Sequence, residues 1–206
     1  MQDYILLVVA ILAAMLFGVS GASAATTFTD LSGDAVAGAA DFTQVVVSND
    51  FDGNITFAFT FANRSAFTQD DTILVGMDTD KSASTGASGV EYLIGIAANG
   101  VVLLRWDGTT FQIAPAPSLR AANNNMTVTI NRSDIGATAG FEFIAISTLD
   151  SNDAAEDFAP ENGGVYDLEL KPVLETLAAR FAPAKPKAGK VFKLGARPSG
   201  SRTGQS

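Results

Sequence analysis

Between residues 41 and 170 apolar side chains recur at every second position, and no stretch carries the spacing of an amphipathic helix. In the run 54–61, Ile55, Phe57, Phe59 and Phe61 fall on one face, alternating with Asn54, Thr56, Ala58 and Thr60. Val45 and Val47 alternate with Gln44, Val46 and Ser48, and Asp52-Gly53 between the two runs predicts a hairpin turn. The continuous apolar run 72–77 (TILVGM) predicts a central strand buried on both faces. Tyr92, Ile94 and Ile96 lead to Asn99-Gly100, a type I′ turn signal, and Val102, Leu104 and Trp106 return from it. Asp107-Gly108 turns the chain into a short strand with Phe111 and Ile113, ended by Pro115 and Pro117. Met126, Val128 and Ile130, then Phe141, Phe143, Ala145 and Ser147, then Tyr166, Leu168 and Leu170 complete the pattern. About nine short strands separated by turns predict an all-β fold, a two-sheet antiparallel β-sandwich over residues 25–170. A domain of this size buries about two-thirds of its unfolded surface, and eleven of the chain's fourteen phenylalanines fall within it to help fill its core.

The chain contains neither cysteine nor histidine. That removes the Ser-His-Asp triad, a cysteine nucleophile, an iron–sulfur cluster and a haem held by histidine or cysteine. An ordinary zinc site needs nitrogen or sulfur ligands and is excluded with them. No disulfide can form, so packing, aided by any bound metal, must hold the domain. The net charge of −9 is unevenly spread: residues 30–169 hold 20 acidic and 5 basic side chains, whereas residues 171–206 hold 8 basic ones and only Glu175. An acidic body argues against nucleic acid as its partner.

The run 4–19 (YILLVVAILAAMLFGV) has no charged residue. As a helix it would measure ~24 Å, short of a ~30 Å hydrocarbon core. Ala22 and Ala24 place small residues at the −3 and −1 positions of a cleavage after Ala24, so residues 1–24 read as a signal peptide helix and the domain as secreted or cell-surface. No Lys or Arg precedes the apolar run, which leaves an uncleaved membrane anchor and a buried core helix as alternatives. Membrane contact is expected only through this segment. Residues 171–206, interrupted by Pro172, Pro183, Pro186 and Pro198, read as a disordered basic linker or tail.

Oxygen chemistry is what remains. Directly after the apolar run 72–77, Asp78 and Asp80 stand two residues apart, and Ser84 adds a hydroxyl. Such hard ligands suit calcium, which takes ~6–8 oxygens. The loop is not an EF-hand, since Ala83 and Gly89 occupy the sixth-position Gly and twelfth-position Glu places. Alternatively the aspartates only cap the loop's amides. A second acidic loop, 150–157, offers Asp150 and Asp153 to a cation or simply to solvent. Trp106, the only tryptophan, could stack on a sugar with Arg105, Asp107 and Gln112 as polar partners, or close the edge of the sandwich. Glu91 and Glu142 are the carboxylates a glycoside hydrolase would use, although Glu142 alternates with Phe141 and Phe143 and so points outward. Asn131 and Ser133 in 131–136 (NRSDIG) predict one short capped helical turn.

Taken together, Gly33-Asp34, 41–45 (DFTQV), LVGMDTDKSASTG, 90–94 (VEYLI), LLRWDGT and NRSDIG resemble exported bacterial β-sandwich modules related to DOMON domains and to family nine carbohydrate-binding modules. The resemblance covers about residues 30–170. It implies a two-sheet sandwich, metal-stabilised in some members, that binds sugars or haem in others, with Asp78 and Asp80 on the metal side. Sugar-binding relatives clamp their ligand between two tryptophans, and haem-binding ones use methionine with histidine; this chain has one tryptophan and no histidine. The expectation is a secreted or cell-surface, non-catalytic binding module, calcium-stabilised, contacting glycans or other surface partners. A structural spacer is the alternative, and a glycoside hydrolase a distant third.

Overall fold

A computed structural model describes residues 24–124, 126–149 and 155–170. The expected signal peptide helix up to residue 23, the basic tail, and Asp150 and Asp153 lie outside the described residues; Ala24, the last residue of that expected segment, opens the first strand. The chain divides into a unit of residues 1–173 and another of 174–206, and only the first contains described residues.

The described residues form twelve strands: β1 (Ala24–Thr29), β2 (Phe42–Asn49), β3 (Asn54–Phe61), β4 (Asp71–Asp78), β5 (Tyr92–Ala97), β6 (Gly100–Trp106), β7 (Phe111–Ile113), β8 (Arg120–Ala122), β9 (Thr127–Asn131), β10 (Gly140–Leu149), β11 (Ala155–Ala159) and β12 (Tyr166–Glu169). One sheet has the order β1-β2-β3-β9-β8 and the other β11-β10-β4-β5-β6-β7, all antiparallel. β12 also pairs with β10, through Gly140–Phe143, next to the Ala145–Thr148 stretch that pairs with β11. The all-β, two-sheet antiparallel arrangement expected from the alternation is therefore present.

Three strands exceed the expected nine, and each hid for a physical reason. β1 (AATTFT) is small and threonine-rich and directly follows the apolar run. β8 is three residues long and lacks a β-branched or aromatic side chain. β11 (AEDFA) puts a carboxylate, Asp157, at an inward position where the pattern expects an apolar group; it is 4 % exposed. The run 72–77 is central, as expected, but not buried on both faces. Ile73, Val75 and Met77 are fully buried, whereas Thr72 and Leu74 are half-buried, since among the described residues no further layer covers that side of the second sheet.

The core is the layer between the two inward faces. Phe57 packs against Phe141 and Phe143 at ring-centroid distances of 6.0 and 5.6 Å, and Phe42 against Phe61 at 5.0 Å. Phe28 joins β1 to this layer, edge-on to Phe143 at 5.1 Å and against Tyr166 at 4.7 Å. The Tyr166 hydroxyl donates to the Thr29 carbonyl at 2.9 Å. Polar ties reinforce the entry to β2: the Phe42 N–H donates to Asp157 Oδ2 at 2.7 Å, and the Ser147 hydroxyl donates to the Ala40 carbonyl at 2.7 Å. Arg64 pairs with the buried Asp71 at the foot of β4. The β2–β3 hairpin turns at Asp52-Gly53 as expected. Asp50 Oδ1 accepts from the N–H groups of Asp52 and Asn54, and Gly53 takes φ +80°. At the β5–β6 hairpin the two loop residues are Ala98 and Asn99, one position earlier than expected, because Ala97 pairs with Gly100.

Because Phe143 touches both β1 and β3 partners, Phe143→Ala should lower unfolding stability by about 3–5 kcal/mol, read from the urea midpoint. The exposed Ile113→Ala change should stay within about 0.5 kcal/mol.

Candidate metal centre

Thirteen residues, 79–91, connect the end of β4 to the start of β5. Asp78 lies opposite Glu142 on β10, and Glu142 lies opposite Asp167 on β12. The Glu91 N–H donates to the Met77 carbonyl at 3.1 Å, which brings Glu91 alongside Asp78, and the Trp106 N–H donates to the Glu91 carbonyl at 2.8 Å. Strand pairing thus lines up Asp167, Glu142, Asp78 and Glu91 in one row across the sheet, on the face turned away from the phenylalanines. Like charges directly opposite each other destabilise a sheet. Lys81 relieves one end of the row. Its backbone takes φ +56°, and its ammonium pairs with Asp167 and Glu169, whose hydrogen bonds raise its pKa above the ordinary lysine value.

At the other end no basic side chain among the described residues answers. Asp78, Asp80 and Glu91 each bring a carboxylate oxygen within 4.8 Å of the others. Asp78 is only 9 % exposed, whereas Asp80 is open to solvent. The loop's own donors are few. Ser82 N–H reaches Asp78 Oδ1 at 3.1 Å, and Glu91 Oε2 accepts from Thr79 N–H at 2.8 Å and from the Thr79 hydroxyl at 3.3 Å. The Thr85 hydroxyl faces Asp80 Oδ1 at 2.9 Å, Glu91 Oε1 at 2.8 Å and the Ser82 carbonyl at 2.9 Å. A hydroxyl carries one proton, so it can satisfy one of these three acceptors fully. The surplus of converging oxygens matches what a hard cation coordinates, and the set contains no nitrogen or sulfur that a softer metal would select.

Two glycines allow the return. A Cβ at Gly86 would lie 2.3 Å from the Val90 carbonyl oxygen, and one at Gly89 would lie 3.0 Å from Asp78 Oδ2. Both take positive φ, +58° and +97°.

Of the sequence candidates, then, Asp78 and Asp80 come together. Ser84 hydrogen-bonds Ser82 Oγ at 2.8 Å and stands outside the three-carboxylate group. Glu91 takes the third place. Reading the loop for ligands missed it because it stands at the far end of the connection, immediately before the returning strand, and the signal would have been Gly86 and Gly89 permitting that return. Glu91 and Glu142 are separated by the strand carrying Asp78.

The expected ligand platform divides between two faces. Arg105 pairs with Gln112 and Trp106 with Phe111, and successive strand residues point to opposite sides. Trp106 is half-buried and meets Phe111 edge-on at 5.2 Å; the Arg105 guanidinium lies 5.9 Å from the Tyr92 ring centre. Asp107 is occupied by its turn. Its Oδ1 accepts from Thr109 and Thr110 N–H at 2.8 and 2.9 Å, and these bonds, Thr110's first, hold its pKa below the usual aspartate value. The short helical turn expected at 131–136 is present as Arg132–Ile135, with Asn131 accepting from Ser133 N–H and Gly136 closing it at φ +83°.

Gly89→Ala should cost about 1–3 kcal/mol, through positive φ and contact with Asp78, whereas Ser84→Ala should be near neutral in the same urea titration. No protein-family model, no curated protein and no solved structure matches this chain.

Proposed function

We propose that the protein is a non-catalytic β-sandwich module, exported to the cell surface or medium, whose β4–β5 loop binds calcium. The observation that carries this reading is the convergence of Asp78, Asp80 and Glu91 within 4.8 Å, with too few protons among their neighbours. Calcium suits the site better than magnesium, because it accepts irregular, all-oxygen coordination at about 2.3–2.6 Å. The ion's role is structural: it offsets repulsion at one end of the carboxylate row and fixes the loop that joins two central strands. The likeness to DOMON-like and family nine carbohydrate-binding modules is in keeping with a metal-stabilised surface module. The apolar run 4–19 and the absence of cysteine are in keeping with export of a domain that folds without disulfides.

A second reading, glycan contact, draws on the Trp106–Phe111 pair beside the same loop. The chain would then use the cation to hold the platform rather than to touch the sugar.

Calcium at a hundredfold excess over its Kd should add about 2.7 kcal/mol of stability. That corresponds to about 2–4 °C in Tm per kcal/mol for a chain of this size. Part of the shift between chelator and millimolar calcium should vanish in Asp80→Asn and in Glu91→Gln, and an unchanged shift in both variants would refute the assignment. For the second reading, glycan-array binding should be lost in Trp106→Ala and kept in Asp80→Asn; an array without signal leaves the spacer function standing.

A further inference from the structure

A separate group of carboxylates lies at the opposite end of β10. Asp30 follows β1 in the first sheet, Asp157 sits on β11 in the second, and Glu161 opens the 3-10 turn Glu161–Gly163 before β12. Their carboxylate oxygens lie within 4.8 Å of one another. Asp157 pairs with Ser147, five residues along β10 from Glu142, so this group is ~17 Å from the loop at Asp78.

The environment of these groups is not that of a solvated acidic patch. Asp30 Oδ2 is sealed from solvent and has no hydrogen-bond partner. Asp41, only 6 % exposed, stands close enough to Asp157 for its charge to act on that carboxyl, and Asp41 Oδ1 is likewise sealed and without a partner. Orphaned buried oxygens of this kind are rare and costly unless a water or an ion completes them. Asp34 adds a fifth carboxyl nearby.

No basic side chain compensates. The described part of the domain has five, all engaged elsewhere: Arg64 with Asp71 and the Gly38 carbonyl, Lys81 with Asp167 and Glu169, Arg105 over Tyr92, Arg120 with the Ser118 carbonyl, and Arg132 with the Ala137 carbonyl. Burial, then the charges of Asp157, Glu161 and Asp34, push the Asp30 carboxyl up to about 7, and burial raises those of Asp157 and Glu161 as well. An open cleft lined by Thr29, Asp30, Leu31, Pro160 and Glu161 gives an ion and its waters access.

We propose that Asp30, Asp157 and Glu161 form a second calcium site, one that clips the end of β1 in the first sheet to β11 and the adjoining turn in the second. The chemistry is that of a hard divalent cation: oxygen ligands only, drawn from three separate elements, with cleft waters completing the shell. Asp157 has a double role, because its Oδ2 already accepts from the Phe42 N–H at 2.7 Å and so holds the entry to β2. A bound ion therefore ties together β1, β2 and β11. This site is independent of the one at Asp78.

The test is calorimetric titration of the full chain with calcium in an Asp80→Asn background, where the first site is disabled. One equivalent should still bind. It should be lost on adding Asp30→Asn, and equally on adding Glu161→Gln, a change at a more accessible residue that leaves the Asp157–Phe42 bond intact. Asp157→Asn is avoided because it would disturb that bond. Terbium provides a second readout, since the Tyr166 hydroxyl lies 3.5 Å from Asp30 Oδ1 and its ring should sensitise a lanthanide bound there. That emission should fall in Tyr166→Phe. An Asp80→Asn protein that binds no calcium would overturn the proposal, and so would calcium binding that persists through both Asp30→Asn and Glu161→Gln. Neither result would bear on the first site, which is read from the equivalent lost in Asp80→Asn alone.

Discussion

Contact between Phe57 of the first sheet and Phe141 and Phe143 of the second is the interaction on which the rest of the structure depends. With no cysteine in the chain, the apolar layer must supply the cohesion that some small domains take from disulfides. It also sets register. A one-residue slip in β10 would turn its phenylalanines outward and drive Glu142 into the core, so the pleat that buries the rings is the same one that exposes the carboxylates. The row running from Asp167 to Glu91 is in this sense a by-product of hydrophobic packing, which the protein then has to neutralise.

Neutralisation is uneven. Lys81 answers Asp167 and Glu169, and Arg64 answers Asp71, but five basic groups cannot serve twenty acidic ones between residues 30 and 169. Exposed aspartates in turns solve the problem by capping amides, as Asp50 and Asp107 do. Two groups, one at each end of β10, have some amide donors but, among the described residues, no basic partner. The first gathers the two ends of one connection, and the second draws its members from segments more than a hundred residues apart, so each concentrates repulsion where the fold closes on itself. A multivalent cation offsets such repulsion most effectively, because it interacts with every member at once.

How much of this was legible beforehand depended on which period a residue obeyed. Ile55, Phe57, Phe59 and Phe61 announced β3 without ambiguity, and Asp52-Gly53 announced its hairpin. Asp78 and Asp80 were legible as ligands because they stand two residues apart and follow a buried strand. Glu91 was not, since its proximity to Asp78 comes from strand pairing across a thirteen-residue connection. Asp157 was harder still: a carboxylate at an inward position defeats the alternation that would have identified β11. Asp30 looked like an ordinary residue at the edge of a loop, and its importance arises only when two sheets meet. Trp106 and Arg105, neighbours in sequence, were read as one platform although strand geometry sends them to opposite faces.

β7 and β8, the edge strands on one side of both sheets, are three residues each, and the chain passes between them through Pro115 and Pro117. Prolines lack the N–H that a neighbouring strand would need, and three residues offer too little ladder to template one. Copies of the molecule crowded together at high local concentration would therefore meet a blunted margin there, a built-in guard against edge-to-edge polymerisation.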